Sequence, residues 1–525
     1  MNLSDYDFDQ LSKMGRTAWR YGQWQTLDAI TIQMRSLEKE SAEIEFLSGL
    51  AKKHLTNQIE AIPYFEKGLQ IESARYDCAI ELAAAYHGAR EPEKAYRLIQ
   101  AHQEQLTNSP IYLNMAATTL VDLGFADSAY PLYQRAVELQ PDVPLFQANL
   151  AACCIFVGEA EQSKQIYTDL VTAQPDHQRH YYQLSRLTKA VDNSMIEQLV
   201  KIISKTENSP QRNIFAYYAL AKQYEDLEHW DKAFEFFTKA GDAITETQNY
   251  SIDDDIAILD TAALIEPLRT ERVPQTAPAS TTSDAAHPIF IIGLPRTGTT
   301  LVEQVLTAHS QIESLGETDH FEHAIIQLSG AEQSRMTAEI LNQAELISPK
   351  ALREKYLEAV SFRLTGSPFF IEKMPSNFQY LPLILRAFPE ARIIWVSRNP
   401  IDACFSMFKQ LFTWAYRFSY SLDNLSRYYP AYHRLKKHWL TQFQDTVTEV
   451  SYEAITAHPE ETIRALFEDL SIPFEPEVLS FNKKKLTSMT ASALQVREAI
   501  STKSVGRWEK YQSHLEKLRG LEALN

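Results

Sequence analysis

An all-α helical-repeat solenoid followed by an α/β domain is the fold class that the sequence predicts. The solenoid is expected over residues 1–272, a linker over 273–287, and a parallel sheet between helices over 288–525. Three observations carry this expectation. Small and aromatic residues recur at a spacing of 34 through the first half. The stretch VPQTAPASTTSDAAH that follows mixes proline, alanine, serine and threonine with no apolar period, which marks a linker. Beyond it the repeat disappears, and short apolar runs alternate with helical stretches.

In the first half, Ala117 and Ala151, Gly124 and Gly158, Tyr133 and Tyr167, and Pro141 and Pro175 are each 34 residues apart. That period, with small residues where two helices touch, an aromatic in the second helix and a proline after it, is the tetratricopeptide pattern of stacked helix pairs. Ala83 and Ala95 hold equivalent positions one period upstream, Gly49, Ala61 and Phe65 two periods upstream, and Gly22 a further period back. Downstream, after a less regular helical pair over residues 180–209, Ala221, Ala233, Phe237 and Ala240 repeat the spacing in a shifted frame. Most of these residues serve packing. The function of such a solenoid lies in its concave surface, which takes a peptide, a protein or a neighbouring domain.

In the second half, PIFIIGL, PFFIEKM, ARIIWVSR and TVTEVSYE read as buried strands of a parallel sheet, where ligands gather at the strands' carboxyl ends. The first strand runs into PRTGTT, residues 295–300, and then a helix, the layout of a phosphate-binding turn. Gly293 and Gly298 have the spacing of a nucleoside-triphosphatase loop, but Thr299 stands where its lysine belongs and Thr300 follows. Arg296 adds a fixed charge. After ARIIWV come Ser397, Arg398 and Asn399, and Ser406 follows Arg398 by eight residues, so a helical hydroxyl and a guanidinium can share one further phosphate.

A lysine-free loop followed by an Arg and a Ser behind a later strand resembles the sulfotransferases that use 3'-phosphoadenosine 5'-phosphosulfate. Over residues 288 to about 515 the resemblance is strongest to the tyrosylprotein sulfotransferases, through PRTGTT, LGE, EKMPSN, VSRNPIDACFSMF, YEAITAHP and SALQVREAISTKSVGRW in that order. The resemblance implies that Pro295, Arg296, Thr297, Gly298, Thr299 and Thr300 hold the 5'-phosphosulfate, and that Arg398 and Ser406 hold the 3'-phosphate. It places Tyr452 at the cofactor and Arg507 near its phosphates, where the family commonly has a lysine. It also implies a catalytic set: Glu317 as the base that takes the acceptor's proton, Lys373 stabilising the leaving phosphate, and Arg296 and Ser492 assisting. His320, three residues after Glu317, is the alternative base. The attached repeats resemble a bacterial architecture of tetratricopeptide repeats fused to a sulfotransferase domain. The acceptor is then a hydroxyl of a protein tyrosine, a saccharide or a small molecule, with the repeats engaging a substrate or partner. Asp319 and Glu322 follow Glu317 where animal tyrosylprotein enzymes carry basic residues, and this disfavours an acidic peptide at that spot.

Composition bounds the alternatives. A net charge of -17 over 525 residues argues against a general nucleic-acid binder, and no stretch approaches the roughly 20 apolar residues of a membrane span. Four cysteines, Cys78, Cys153, Cys154 and Cys404, are too few and too scattered for a disulfide scaffold, which fits a reducing cytoplasm. The histidines are scattered, and no metal is expected because arginine, lysine and helix amides supply the positive field. A kinase or triphosphatase on the same loop is disfavoured by Thr299 and by the lack of a magnesium-binding acid. A non-enzymatic scaffold with a degenerate loop domain is disfavoured by the intact set Glu317, Lys373, Arg398 and Ser406. Every cofactor block lies after residue 287, which predicts that the second domain binds the nucleotide without the repeats.

Overall fold

Proline opens successive helices of the first half at the period of the sequence. In the computed structural model, α1 (Pro110–Asp122) pairs with α2 (Ala126–Leu139), and the next helices run over Pro144–Val157 and Ala160–Ala173, each starting 34 residues later. Proline suits the first helical turn, where its missing N–H has no partner to lose. The turn inside each pair needs a left-handed residue, and Arg90, Gly124 and Gly158, again 34 apart, have φ of 63°, 89° and 92°. Ala83, Ala95, Ala117, Ala136 and Phe65 are fully buried, and Tyr133 and Tyr167 nearly so, as packing positions should be. The structure describes residues 3–524 except 39, 207, 267–285, 413–414, 485–486 and 491. The expected linker therefore lies, up to residue 285, outside the described residues.

The chain forms two compact units, Met1–Cys153 and Cys154–Asn525. In the first, helix pairs enclose a groove of about 630 Å³ lined by His87, Asn114, Met115, Thr118 and Phe146 among others. Asn114 is held by a 3.0 Å hydrogen bond that its side-chain carbonyl accepts from Asn149.

The second unit is built on five parallel strands, β1 (His287–Gly293), β2 (Ile312–Ser314), β3 (Phe369–Glu372), β4 (Arg392–Ser397) and β5 (Val447–Ser451), in the order β2-β3-β1-β4-β5. Four of them are the expected apolar runs. The edge strand β2 is too short, at three residues, to show a pattern. Alternate residues face opposite layers: Ile289, Ile291, Ile394 and Val396 in one core, Phe290, Ile292, Ile393 and Trp395 in the other. The second core also contains Tyr182, Tyr218, Ala221, Phe237 and Ala240. These come from α3 (Gln178–Leu187), α4 (Ile214–Asp226) and α5 (Trp230–Thr245), so the later repeat-like helices cover one face of the sheet. The approach is close: a Cβ on Gly241 of α5 would collide with the Tyr420 carbonyl.

β1 pairs with β3 on one side and β4 on the other, in register Ile292 to Trp395 and Gly293 to Val396. This is the point where strand order reverses, and it opens a crevice beyond the strand ends.

Candidate donor site

The loop after β1 is held in shape by its own backbone. Gly293 has φ 142° and Gly298 φ 103°, and Arg296 lies at 67° in the left-handed region, which points its side chain out of the turn. The Thr297 hydroxyl donates to the Leu294 carbonyl at 2.7 Å, so it closes the loop and leaves ligand binding to neighbouring groups. A Cβ on Gly298 would meet the Tyr452 ring at 2.5 Å. Gly298 caps α6 (Thr299–Thr307) without any side-chain cap bond, leaving the first amides of a nine-residue helix to bind an anion.

The loop after β4 adds the second cation. Arg398 donates to the Arg296 carbonyl at 3.1 Å and to the Ser504 carbonyl, and its guanidinium stacks 4.6 Å from the Tyr452 ring centroid. Asn399 caps α7 (Pro400–Phe408) through the Ile401 and Asp402 amides and thereby sets the direction in which Ser406 is presented. Asp402 lies 3.7 Å from Arg398 and accepts the Gly506 amide at 2.7 Å, tying the C-terminal segment to this loop. From that segment Ser492 accepts a hydrogen bond from Arg296, and Gln495 accepts another at 2.7 Å.

Arg296, Gly298, Thr300, Arg398, Ser406, Tyr452, Ser492 and Arg507 thus line one cleft of about 440 Å³. Tyr452 begins the short helix α8 (Tyr452–Ala457). Burial lowers the Arg296 pKa to about 10, helped by the charges of Arg398 and Arg186. Crowded guanidiniums are costly without an anion. The Nε atoms of both Arg296 and Arg398 are buried without a hydrogen-bond partner among the described residues, which suits an anionic ligand with a charged group near each.

Glu317 and Lys373 form a separate pair beside α6. The fully buried Lys373 ammonium donates to Glu317, and Glu303 of α6 lies 3.7 Å from the same nitrogen. Glu303 accepts the Ser314 hydroxyl at 2.7 Å, and burial raises its pKa. Glu317 keeps 38% of its side chain exposed, so a hydroxyl from solvent can reach it. The backbone N–H of Lys373 donates to the Gly316 carbonyl at 3.0 Å, which fixes the LGE loop to the end of β3. Pro295 and Thr299 are buried, and neither they nor Glu317 and Lys373 line the cleft.

The model of the sulfotransferase family matches residues 288–476, the span that carries this geometry. The chain contains a sulfotransferase-family domain. An uncharacterised protein of Aquifex aeolicus (strain VF5) is 31% identical over 338 residues, covering 62% of this chain and 44% of that protein. Protein-tyrosine sulfotransferase 1 of Danio rerio is 26% identical over 238 residues, covering 42% of this chain and 65% of the relative. The chain therefore spans less than two thirds of either relative's length. Among solved structures, the sulfotransferase domain of the Synechococcus PCC 7002 olefin synthase aligns at 19% identity and TM-score 0.31, covering 43% of this chain and 89% of that domain.

The cleft of the sulfotransferase domain has a wall that the sequence did not announce. Tyr182, Ser185 and Arg186 of α3, Tyr218, Lys222 and Glu225 of α4, and Phe237 of α5 line it, although all precede the linker. Seven Lys and Arg side chains face three acids there, a positive site in a chain of net charge -17. Asp402 did leave a signal, four residues after Arg398 in the first turn behind a capping Asn. Glu225 left none, because its helix reads as an ordinary repeat. No described helix is long and apolar enough to cross a membrane, and no described group of His, Cys, Asp or Glu could hold a metal ion.

Proposed function

We propose that this chain transfers a sulfuryl group from 3'-phosphoadenosine 5'-phosphosulfate to a hydroxyl of an acceptor. The observation that carries the reading is the meeting, in one cleft, of an anion-binding loop without lysine and the Arg398–Ser406 pair. The loop amides, Arg296 and Thr300 bind the 5' end of the donor, and Arg398 with Ser406 binds the 3'-phosphate that distinguishes this nucleotide. The donor supplies an activated sulfuryl group and departs as adenosine 3',5'-bisphosphate. Glu317 takes the acceptor's proton, while Lys373, Arg296 and Ser492 stabilise charge on the leaving side. Asp319 beside Glu317 favours a neutral or cationic acceptor, whereas Glu322 is turned inward to accept the Tyr380 hydroxyl at 2.9 Å; the groove of the first unit offers a place for a peptide or protein that carries the acceptor.

Calorimetry on the purified protein tests the donor. Adenosine 3',5'-bisphosphate should bind without metal and ATP with magnesium should not. Arg398→Ala should weaken the bisphosphate by about 1.5–3 kcal/mol through loss of charge-assisted hydrogen bonds, and leave adenosine 5'-phosphosulfate unaffected. Equal losses for both ligands would remove Arg398 from the 3'-phosphate.

A further inference from the structure

Glu225 sits on α4 with 7% of its side chain exposed, yet its partners all belong to the sulfotransferase domain and the segment after it. Its carboxylate accepts Lys409 Nζ at 2.6 Å and the Tyr511 hydroxyl at 2.9 Å, and Arg507 lies 3.7 Å away. Burial alone would raise its pKa, but those two charges and hydrogen bonds hold it down at about 2. A buried carboxylate in a site for an anion repels the ligand unless cations outnumber it. Here one carboxylate faces two cations, and both line the cleft, Lys409 three residues after Ser406. Lys409 is in turn packed 5.0 Å from the Phe405 ring centroid.

Tyr218, about two turns earlier on α4 and so on the same helix face, lines the same cleft at 2% exposure. Its hydroxyl is buried without a hydrogen-bond partner among the described residues. Phenylalanine would pack there without that penalty, so packing does not account for the oxygen.

We propose that α3 and α4 are part of the donor site: Glu225 positions Lys409 and Arg507 around the phosphate that Arg398 and Ser406 hold, and the Tyr218 hydroxyl hydrogen-bonds the bound nucleotide. This rests on the reading of the cleft as a site for a 3'-phosphorylated adenosine nucleotide. Lys409 and Arg507 would otherwise be free to fold back on other acids, and an exposed Arg507 costs rotamer entropy when it must be ordered on binding.

The test uses the full chain, with adenosine 3',5'-bisphosphate and adenosine 5'-monophosphate as probes in calorimetry and thermal melting of the nucleotide-free protein as control. Tyr218→Phe should weaken the bisphosphate roughly three- to tenfold while the melting temperature stays level or rises. Glu225→Gln should weaken the bisphosphate by about tenfold or more and shrink its advantage over the monophosphate, whereas a merely structural loss would weaken both alike. Unchanged affinity in Tyr218→Phe, or equal losses for the two nucleotides in Glu225→Gln, overturns the assignment. Wild-type protein that binds neither nucleotide overturns the donor reading itself, a result distinct from either of those.

Discussion

Lys373 stands between two carboxylates of different exposure, Glu317 at 38% and Glu303 at 5%. Only the exposed one can meet an acceptor, and its ion pair with Lys373 holds it in place beside α6. Glu317→Gln retains shape but cannot take the proton. Turnover should fall about a hundredfold, with adenosine 3',5'-bisphosphate affinity nearly unchanged, as steady-state kinetics beside calorimetry would show. Near-normal turnover would move the base to His320. At this scale the sequence was legible where spacing is local. The loop from Pro295 to Thr300 and the Arg398–Ser406 pair each fall within one strand end and one helix. Tyr218 and Glu225 were not legible, because what makes them special is the identity of groups nearly 200 or more residues further along.

Elements were read more fully, since strand and helix periods are local signals too. The repeat frame predicted stacked helix pairs and their packing positions, and the apolar runs predicted β1, β3, β4 and β5. The short edge strand β2 was missed because a strand of three residues carries no alternation, and it is fixed instead by register with β3 from Ile312 to Ser314. The small residue at Gly241 reads as ordinary repeat packing, but it faces a backbone carbonyl from outside the repeats. Alanine in mid-helix normally gains about 1 kcal/mol over glycine. At Gly241 the collision with Tyr420, a carbonyl that cannot rotate away like a side chain, costs about 1–3 kcal/mol and should win. Gly241→Ala should therefore lower the melting temperature, and a rise would show that α5 can shift away from Tyr420.

For the whole molecule, the change of sequence pattern at 273–287 and the division into compact units at Cys153 fall in different places. The expectation that the second domain binds nucleotide by itself omits α3, α4 and α5, which line the cleft. A chain starting at residue 144 keeps them and should retain nucleotide affinity, whereas one starting at residue 271 should lose it; equal binding by both would show that the helical wall is dispensable. The wall also sets an order of events during synthesis. Glu225 and Tyr511 are 286 residues apart, so at 5–20 residues per second α4 leaves the ribosome on the order of 15 to 60 seconds before its partner exists. Through that interval the Glu225 carboxylate lacks the Tyr511 hydroxyl and the Arg507 charge, although the strands β1 to β5 are made in between. The cleft, whose C-terminal wall arrives last, is therefore among the last parts of the protein to be completed.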